Sequence, residues 1–267
     1  AEQFGAEVKR LNFEWGNPVD PDAVRQALKA DAGIKAVLVT HNETSTGVTN
    51  DLKAISAVAK EFDKLVYVDA ISSLGCIDLQ TDAWKCDIVV TGSQKGFMVP
   101  PGLAMISINE KAWQAHAKAK MPRYYWDLSK AKRFLEEKKQ TPFTPAVSVF
   151  YGLAASLDIL LAEGLNNVFA RHARIAKSAR EGAKALGLSL FPEEKICSDT
   201  ITAIKASENL DATKLLQILR DEYKVVLSGG QGKLQGKIFR IGHLGWVTDK
   251  DMQQILKTLK EALPKAK

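Results

Sequence analysis

Lys64-Leu65-Val66-Tyr67-Val68-Asp69-Ala70 and Asp87-Ile88-Val89-Val90-Thr91-Gly92-Ser93-Gln94-Lys95-Gly96 decide how this chain reads, because each is a short apolar run that ends on reactive residues. Short continuous apolar runs bounded by turn formers are the mark of strands buried on both faces. Working outward, Ala36-Val37-Leu38-Val39-Thr40 and Leu103-Ala104-Met105-Ile106-Ser107-Ile108 have the same character, and Glu7 to Phe13 reads as a further strand. Between them the spacing turns helical. Pro21 to Leu28 is predicted as a helix with Asp20 as N-cap and Pro21 in its first turn. Leu52, Ile55, Ala59 and Phe62 mark a second helix, with Asn50 expected to cap it. Strands alternating with helices predict an α/β fold: a mostly parallel sheet with flanking helices.

From Pro145 to Glu163, residues Val149, Leu153, Leu157 and Leu160 predict a helix that breaks at Gly164. Another follows through Val168, Ile175 and Ala179 to Ala185 and stops at Gly187. A glycine inside a helical pattern often marks a junction. The expected division is therefore a large domain, residues 1–164, and a smaller α+β C-terminal domain, residues 165–267. In the latter, Thr200 to Ile204 and Lys237 to Ile241 read as strands, and Asp211 to Glu222 and Thr248 to Leu263 as helices.

The chain has 267 residues, 46% hydrophobic and 25% charged, an ordinary globular composition. Its net charge of +6 comes mostly from lysines mixed with acids, as in Glu136-Glu137-Lys138-Lys139, which reads as a solvated face. Aromatics are not interleaved with the basic residues in the way base stacking requires, so no nucleic-acid partner is expected. The apolar runs are short of a membrane span and no signal segment opens the chain, so no membrane partner is expected either. The three cysteines, Cys76, Cys86 and Cys197, have no metal spacing; reduced thiols and a cytoplasmic location are the simplest account. The four histidines are scattered, and no metal site is predicted.

In open α/β sheets ligands sit at the carboxyl ends of the strands. Here separate strands deliver an amine, Lys95, and a carboxylate, Asp69, to that edge. Pyridoxal 5'-phosphate fits such a pair, since its aldehyde reacts with an amine and its ring nitrogen needs an acidic partner. The bland alternatives are a surface lysine and a turn or cap aspartate. Arg240, flanked by Phe239 and Ile241 in an apolar strand, needs a partner, either a structural salt bridge or an anionic ligand.

Four segments in this order and spacing resemble the class V, fold-type I, pyridoxal phosphate-dependent aminotransferases, most closely the alanine–glyoxylate and serine–glyoxylate enzymes. They are Thr40 to Gly47, Val68 to Gly75, Ser93-Gln94-Lys95 with Pro100-Pro101-Gly102, and Arg240 to Gly245. The resemblance implies transamination between a small amino acid, alanine or serine, and glyoxylate or a similar 2-oxo acid. It implies that Lys95 holds the cofactor and moves the proton, that Asp69 pairs with the ring nitrogen, and that Thr44 lies near the phenolic oxygen. It further implies phosphate contacts from Ser93 and Gln94, and from Thr141 and Thr144 toward a neighbouring subunit of a homodimer. Thr144 as a simple N-cap is the alternative for that segment. Arg240 would clamp the substrate carboxylate.

Members of that family carry roughly a hundred or more residues before the point matching Ala1, so the chain is expected to be the C-terminal two-thirds of such an enzyme with an N-terminally incomplete large domain. The segment expected to be missing would supply the first strand, a glycine-containing phosphate loop and an aromatic residue stacked on the ring. Two other readings stand beside this one: a cysteine desulfurase-like relative, and a non-catalytic fragment or subunit that associates with an N-terminal fragment.

Overall fold

The computed structural model describes all residues, 1–267. Helix α1, Pro21–Ala30, starts where expected, with the Asp20 carboxylate accepting from the Asp22 N–H. Strand β1, Ala36–Thr40, leads into a tight hairpin, β2 (Asn42–Glu43) and β3 (Val48–Thr49), and then helix α2, Leu52–Glu61. Strands β4 (Leu65–Asp69), β5 (Ile88–Gly92) and β6 (Ala104–Ile108) follow. The first sheet runs β1-β4-β5-β6, parallel except for β6.

Residues on one face of this sheet, among them Val39, Val66, Val68 and Val89, are buried against Val24, Leu28, Leu52, Ile55 and Ala59 of α1 and α2. The other face has no such layer. Leu38 on β1 and Ile106 on β6 are 66% and 43% exposed there, and Tyr67, Ile88 and Val90 are only half-buried.

Helices α3 (Glu110–Lys118) and α4 (Leu128–Arg133) lead to α5, Val147–Glu163, which meets α6, Leu165–Ala185, at an angle of 88° across Gly164. No single helix is long and apolar enough to cross a membrane. Strands β7 (Ser189–Leu190) and β8 (Ile201–Lys205), helix α7 (Ala212–Asp221), strands β9 (Ser228–Gly229) and β10 (Ile238–Gly242), and helix α8 (Asp249–Ala262) complete the chain. The second sheet is antiparallel, ordered β7-β8-β10-β9. Ile204, Phe239 and Ile241 pack its inner face on Ile175, Leu215, Met252 and Leu259 from α6, α7 and α8.

Two expectations need correction. Glu7 to Phe13 is not a strand. Its N–H and C=O groups would need a neighbouring strand, and the two edges of the first sheet, β1 and β6, pair only with β4 and β5. The chain instead runs to the second sheet, where Gly16 meets the Phe191 ring and Glu14 pairs with Lys233 at 3.1 Å. Asn50 is also not the cap of α2: Asp51 accepts from the Ala54 N–H. The Asn50 amide accepts from Val19 N–H and donates to the Thr40 carbonyl, tying the entry of α1 to the end of β1. Two adjacent capping residues compete for one role, and the one with a tertiary partner is drawn away.

Candidate active site

Asp69 is the last residue of β4, opposite Thr40 of β1 and Val90 of β5. One carboxylate oxygen accepts from the Ile71 N–H at 2.9 Å and turns the chain; the residue is otherwise exposed. So Asp69 performs the turn role and still leaves a carboxylate oxygen open at the strand edge. Beside it, β5 ends at Gly92 and the chain turns through Ser93, Gln94 and Lys95. Parallel neighbours are spaced about 4.8 Å apart, so amine and carboxylate leave adjacent strands at one edge. Lys95 is half-buried and takes no part in the lysine ion pairs of the chain.

Ser93 and Gln94 separate in their tasks. The Ser93 hydroxyl is buried, donates to the Pro100 carbonyl at 2.7 Å and accepts from Leu103 N–H, so it is engaged in holding the loop after Lys95. Gln94 is exposed and folds over Gly92, where a Cβ would stand 2.7 Å from its side-chain oxygen.

Thr44 sits at the tip of the β2–β3 hairpin, half-buried, and its carbonyl accepts from Arg240 Nη1 at 2.7 Å. Arg240 Nε donates to the Gly229 carbonyl at 2.9 Å. Arg240 is 5% exposed and has no carboxylate partner within ion-pair distance. Burial lowers its pKa, opposed by the more distant Glu43 carboxylate. The structural salt bridge that stood as one alternative for Arg240 is thus absent. A guanidinium held only by carbonyls is a built anion site with charge to spare.

Thr141 and Thr144 are exposed and stand apart from these groups in their bonding. The Thr141 hydroxyl donates to the Phe143 carbonyl at 2.6 Å. Thr144 is not the N-cap of α5; that position is Ala146, without a side-chain cap.

Two features escaped sequence reasoning. Asn42 is buried and donates to the hydroxyls of Ser72 and Thr200 at 2.9 and 3.0 Å, joining the hairpin to both sheets. His41 follows β1, donates its backbone N–H to the Asp69 carbonyl, and leaves its ring Nδ1 without a partner. Burial pushes the His41 imidazole down to about 4, so it is neutral. Their signals were a place directly after a strand and inside the Thr40 to Gly47 segment, neither of which names a role.

The aminotransferase class-V family description matches residues 1–240. The chain belongs to the class-V aminotransferases. It is 44% identical over 97% of its length to the soluble hydrogenase 42 kDa subunit of Anabaena cylindrica, covering 68% of that protein. An L-aspartate–glyoxylate aminotransferase of Paracoccus denitrificans is 41% identical over 93% of the chain and 64% of its own length. A serine–glyoxylate aminotransferase of Methylorubrum extorquens is 38% identical over 92% and 63%. The crystal structure of the pyridoxamine–pyruvate aminotransferase from Mesorhizobium loti superimposes with a TM-score of 0.91 at 37% identity, over 96% of this chain and 66% of that one. The chain thus spans about two thirds of the length of these relatives.

Membership implies pyridoxal phosphate as cofactor, and the side chains present fit it: an unpaired half-buried amine and a carboxylate with a free oxygen at one sheet edge. A cysteine desulfurase from Thermococcus onnurineus shares the fold at a TM-score of 0.76 but only 18% identity. Burial pushes the Cys76 and Cys86 thiols up to about 11, and raises that of Cys197, whose sulfur lies on the Glu193 carbonyl.

Proposed function

We propose that this class-V aminotransferase chain moves an amino group between a small amino acid, such as alanine or serine, and glyoxylate or a similar 2-oxo acid. The observation that carries the reading is Arg240: a buried guanidinium without a carboxylate, tied to the hairpin that follows β1 and so to the edge bearing Asp69 and Lys95. A small α-carboxylate completes its charge and is gripped by the remaining edge of its planar fork. The aspartate and serine donors of the named relatives share that carboxylate, which is why the donor class is assigned by Arg240 and not by a side-chain pocket.

Bound pyridoxal phosphate supplies the electron sink that makes the hydrogen on the amino-acid α-carbon acidic. The Lys95 amine would hold the cofactor and would take and return that proton. The free oxygen of Asp69 would pair with the ring nitrogen and favour its protonated form. Arg240 orients the substrate so that the α-hydrogen faces the Lys95 amine, a gain in proximity and alignment. Gln94 and the hydroxyls of Thr44, Thr141 and Thr144 are the proposed cofactor contacts, the last two across a subunit boundary; Ser93 supports them by shaping the loop.

We assign a homodimer as the working form. Helix α5 is apolar around its circumference and exposes Val147, Phe150, Tyr151 and Leu161, and Tyr124, Tyr125 and Trp126 ahead of α4 are exposed as well. Surfaces of this kind mark interfaces. The open face of the first sheet, with Leu38 and Ile106, suits a further helical layer, the part proposed for an N-terminal segment of the length by which the relatives exceed this chain. Sedimentation of the protein with and without such a segment reads both.

The deciding experiment is borohydride reduction of the protein with pyridoxal phosphate, followed by peptide mapping. The expected result is a single phosphopyridoxyl group on Lys95, with neither label nor amino transfer in Lys95→Ala at unchanged folding. A Lys95→Ala protein with ordinary turnover overturns the assignment.

A further inference from the structure

We infer that His172, together with Arg171, is a positioning residue that clamps the Gly242–Trp246 loop onto the Lys95 turn and so sets the amine against the Arg240 guanidinium. His172 is fully buried on α6. Its Nδ1 lies 2.7 Å from the Val168 carbonyl and must carry the proton, which leaves Nε2 as an acceptor. That acceptor takes the Gly245 N–H at 3.1 Å. The preceding residue grips the other side of the same glycine: Arg171 Nη1 donates to the Gly245 carbonyl at 2.8 Å. The remaining N–H groups of Arg171 are fixed by Glu163 at 2.7 and 3.0 Å, and its plane lies over the Trp246 ring.

The glycine so held is the roof of the Lys95 turn. Gly245 has φ +80, and a Cβ on it would stand 3.1 Å from Met98 Cγ and 3.6 Å from the Lys95 carbonyl. From below, Gly96 is pressed on Leu74 and Cys76 with no room for a Cβ. The turn is closed on itself by Met98 N–H donating to the Lys95 carbonyl. The loop that forms the roof is the continuation of β10, three residues after Gly242 and five after Arg240. Two consecutive residues of one helix therefore connect the strand carrying the guanidinium to the turn carrying the amine.

The catalytic consequence rests on the proposed function; the clamp itself does not. The test is amide hydrogen exchange on the intact, cofactor-free protein, comparing His172→Leu, which keeps bulk without an acceptor, with His172→Gln, which keeps an acceptor oxygen. In His172→Leu, exchange in the peptides holding Gly245 and Lys95–Met98 is expected to rise about tenfold, the scale of one lost buried hydrogen bond, while β8 and α7 stay unchanged. His172→Gln restores most of the protection. Arg171→Met, at a partly solvated position, gives the same pattern at smaller size even if His172→Leu folds poorly. In the cofactor-loaded protein, His172→Leu lowers kcat with substrate KM nearly constant, because Arg240 keeps its two carbonyl partners. Equal exchange in Leu and Gln variants, or a rise spread evenly over the chain, overturns the clamp. Protection that follows the pattern in a protein whose Lys95 takes no phosphopyridoxyl label retains the clamp and overturns the catalytic reading instead.

Discussion

In the second sheet, Ile201 to Ile204 and Ile238 to Ile241 are buried along their whole length, whereas in the first sheet β1 and β6 leave Leu38 and Ile106 open to solvent. The second sheet has three helices on its inner face and the hairpin on its outer one, where Gly47 meets Ala203 and Thr44 meets Arg240. The first has one layer of helix only. Yet the first carries the amine and the carboxylate. Burial is concentrated in the half that holds the guanidinium, and the amine and the carboxylate stand on the half that is least covered.

The sharpest way to break that comparison is Asp69→Asn. A neutral amide still turns the chain at Ile71 but cannot keep a ring nitrogen protonated, so turnover should fall by about 10³-fold or more at constant thermal midpoint. Turnover within about threefold of the parent, well under 1 kcal/mol, would leave Asp69 as a turn residue only. Phe239→Ala tests the other side. It empties the centre of the larger core and should cost about 3–5 kcal/mol in a urea titration. A cost below about 1 kcal/mol would mean that the second sheet is not the stable half.

Arg240→Lys joins the two regions. A point charge cannot hold the Thr44 and Gly229 carbonyls and a carboxylate at once, so amino- and keto-acid binding should weaken by about 10–100-fold while cofactor uptake survives. Lost cofactor with unchanged substrate affinity would place the guanidinium elsewhere. The smallest effect belongs to Leu38→Ala, within about 0.5 kcal/mol in the single chain. If that substitution costs about 2 kcal/mol in a dimer or with an added segment, the open face is covered there.

Legibility followed the range of the interactions involved. The strands ending on Asp69 and Gly92 and the helix capped by Asp20 are specified by nearest neighbours in sequence, so apolar runs and cap residues announce them. Glu7 to Phe13 has a local pattern fit for a strand but no partner, and pairing is not a local property. The β2–β3 hairpin is two residues on each side, too short to show alternation, and it is held by Asn42 reaching Ser72 and Thr200. Thr144 carries the right cap chemistry two residues before the observed cap at Ala146. Arg240 stood out as a charge among apolar residues. That its partners are two carbonyls, one of them 196 positions away, is a fact of folding alone.

The sealed imidazoles His41, His172 and His243 have a consequence for proton balance. Burial holds His41 near 4 and His243 near 3, against an ordinary 6.5, and lowers His172 as well. Above pH 6.5 neither the folded nor the unfolded chain protonates them, and they contribute no pH dependence. As pH falls below 6.5 the unfolded chain takes up protons that the folded one refuses, so the native state loses about 1.4 kcal/mol per pH unit for each of His41 and His243, and His172 adds to the loss in the same direction. The loss continues to about pH 4 for His41 and lower still for His243. Urea midpoints at pH 7 and pH 5 read that slope directly. Three imidazoles that a neutral solution leaves silent thus make mild acid a destabilising condition for this chain.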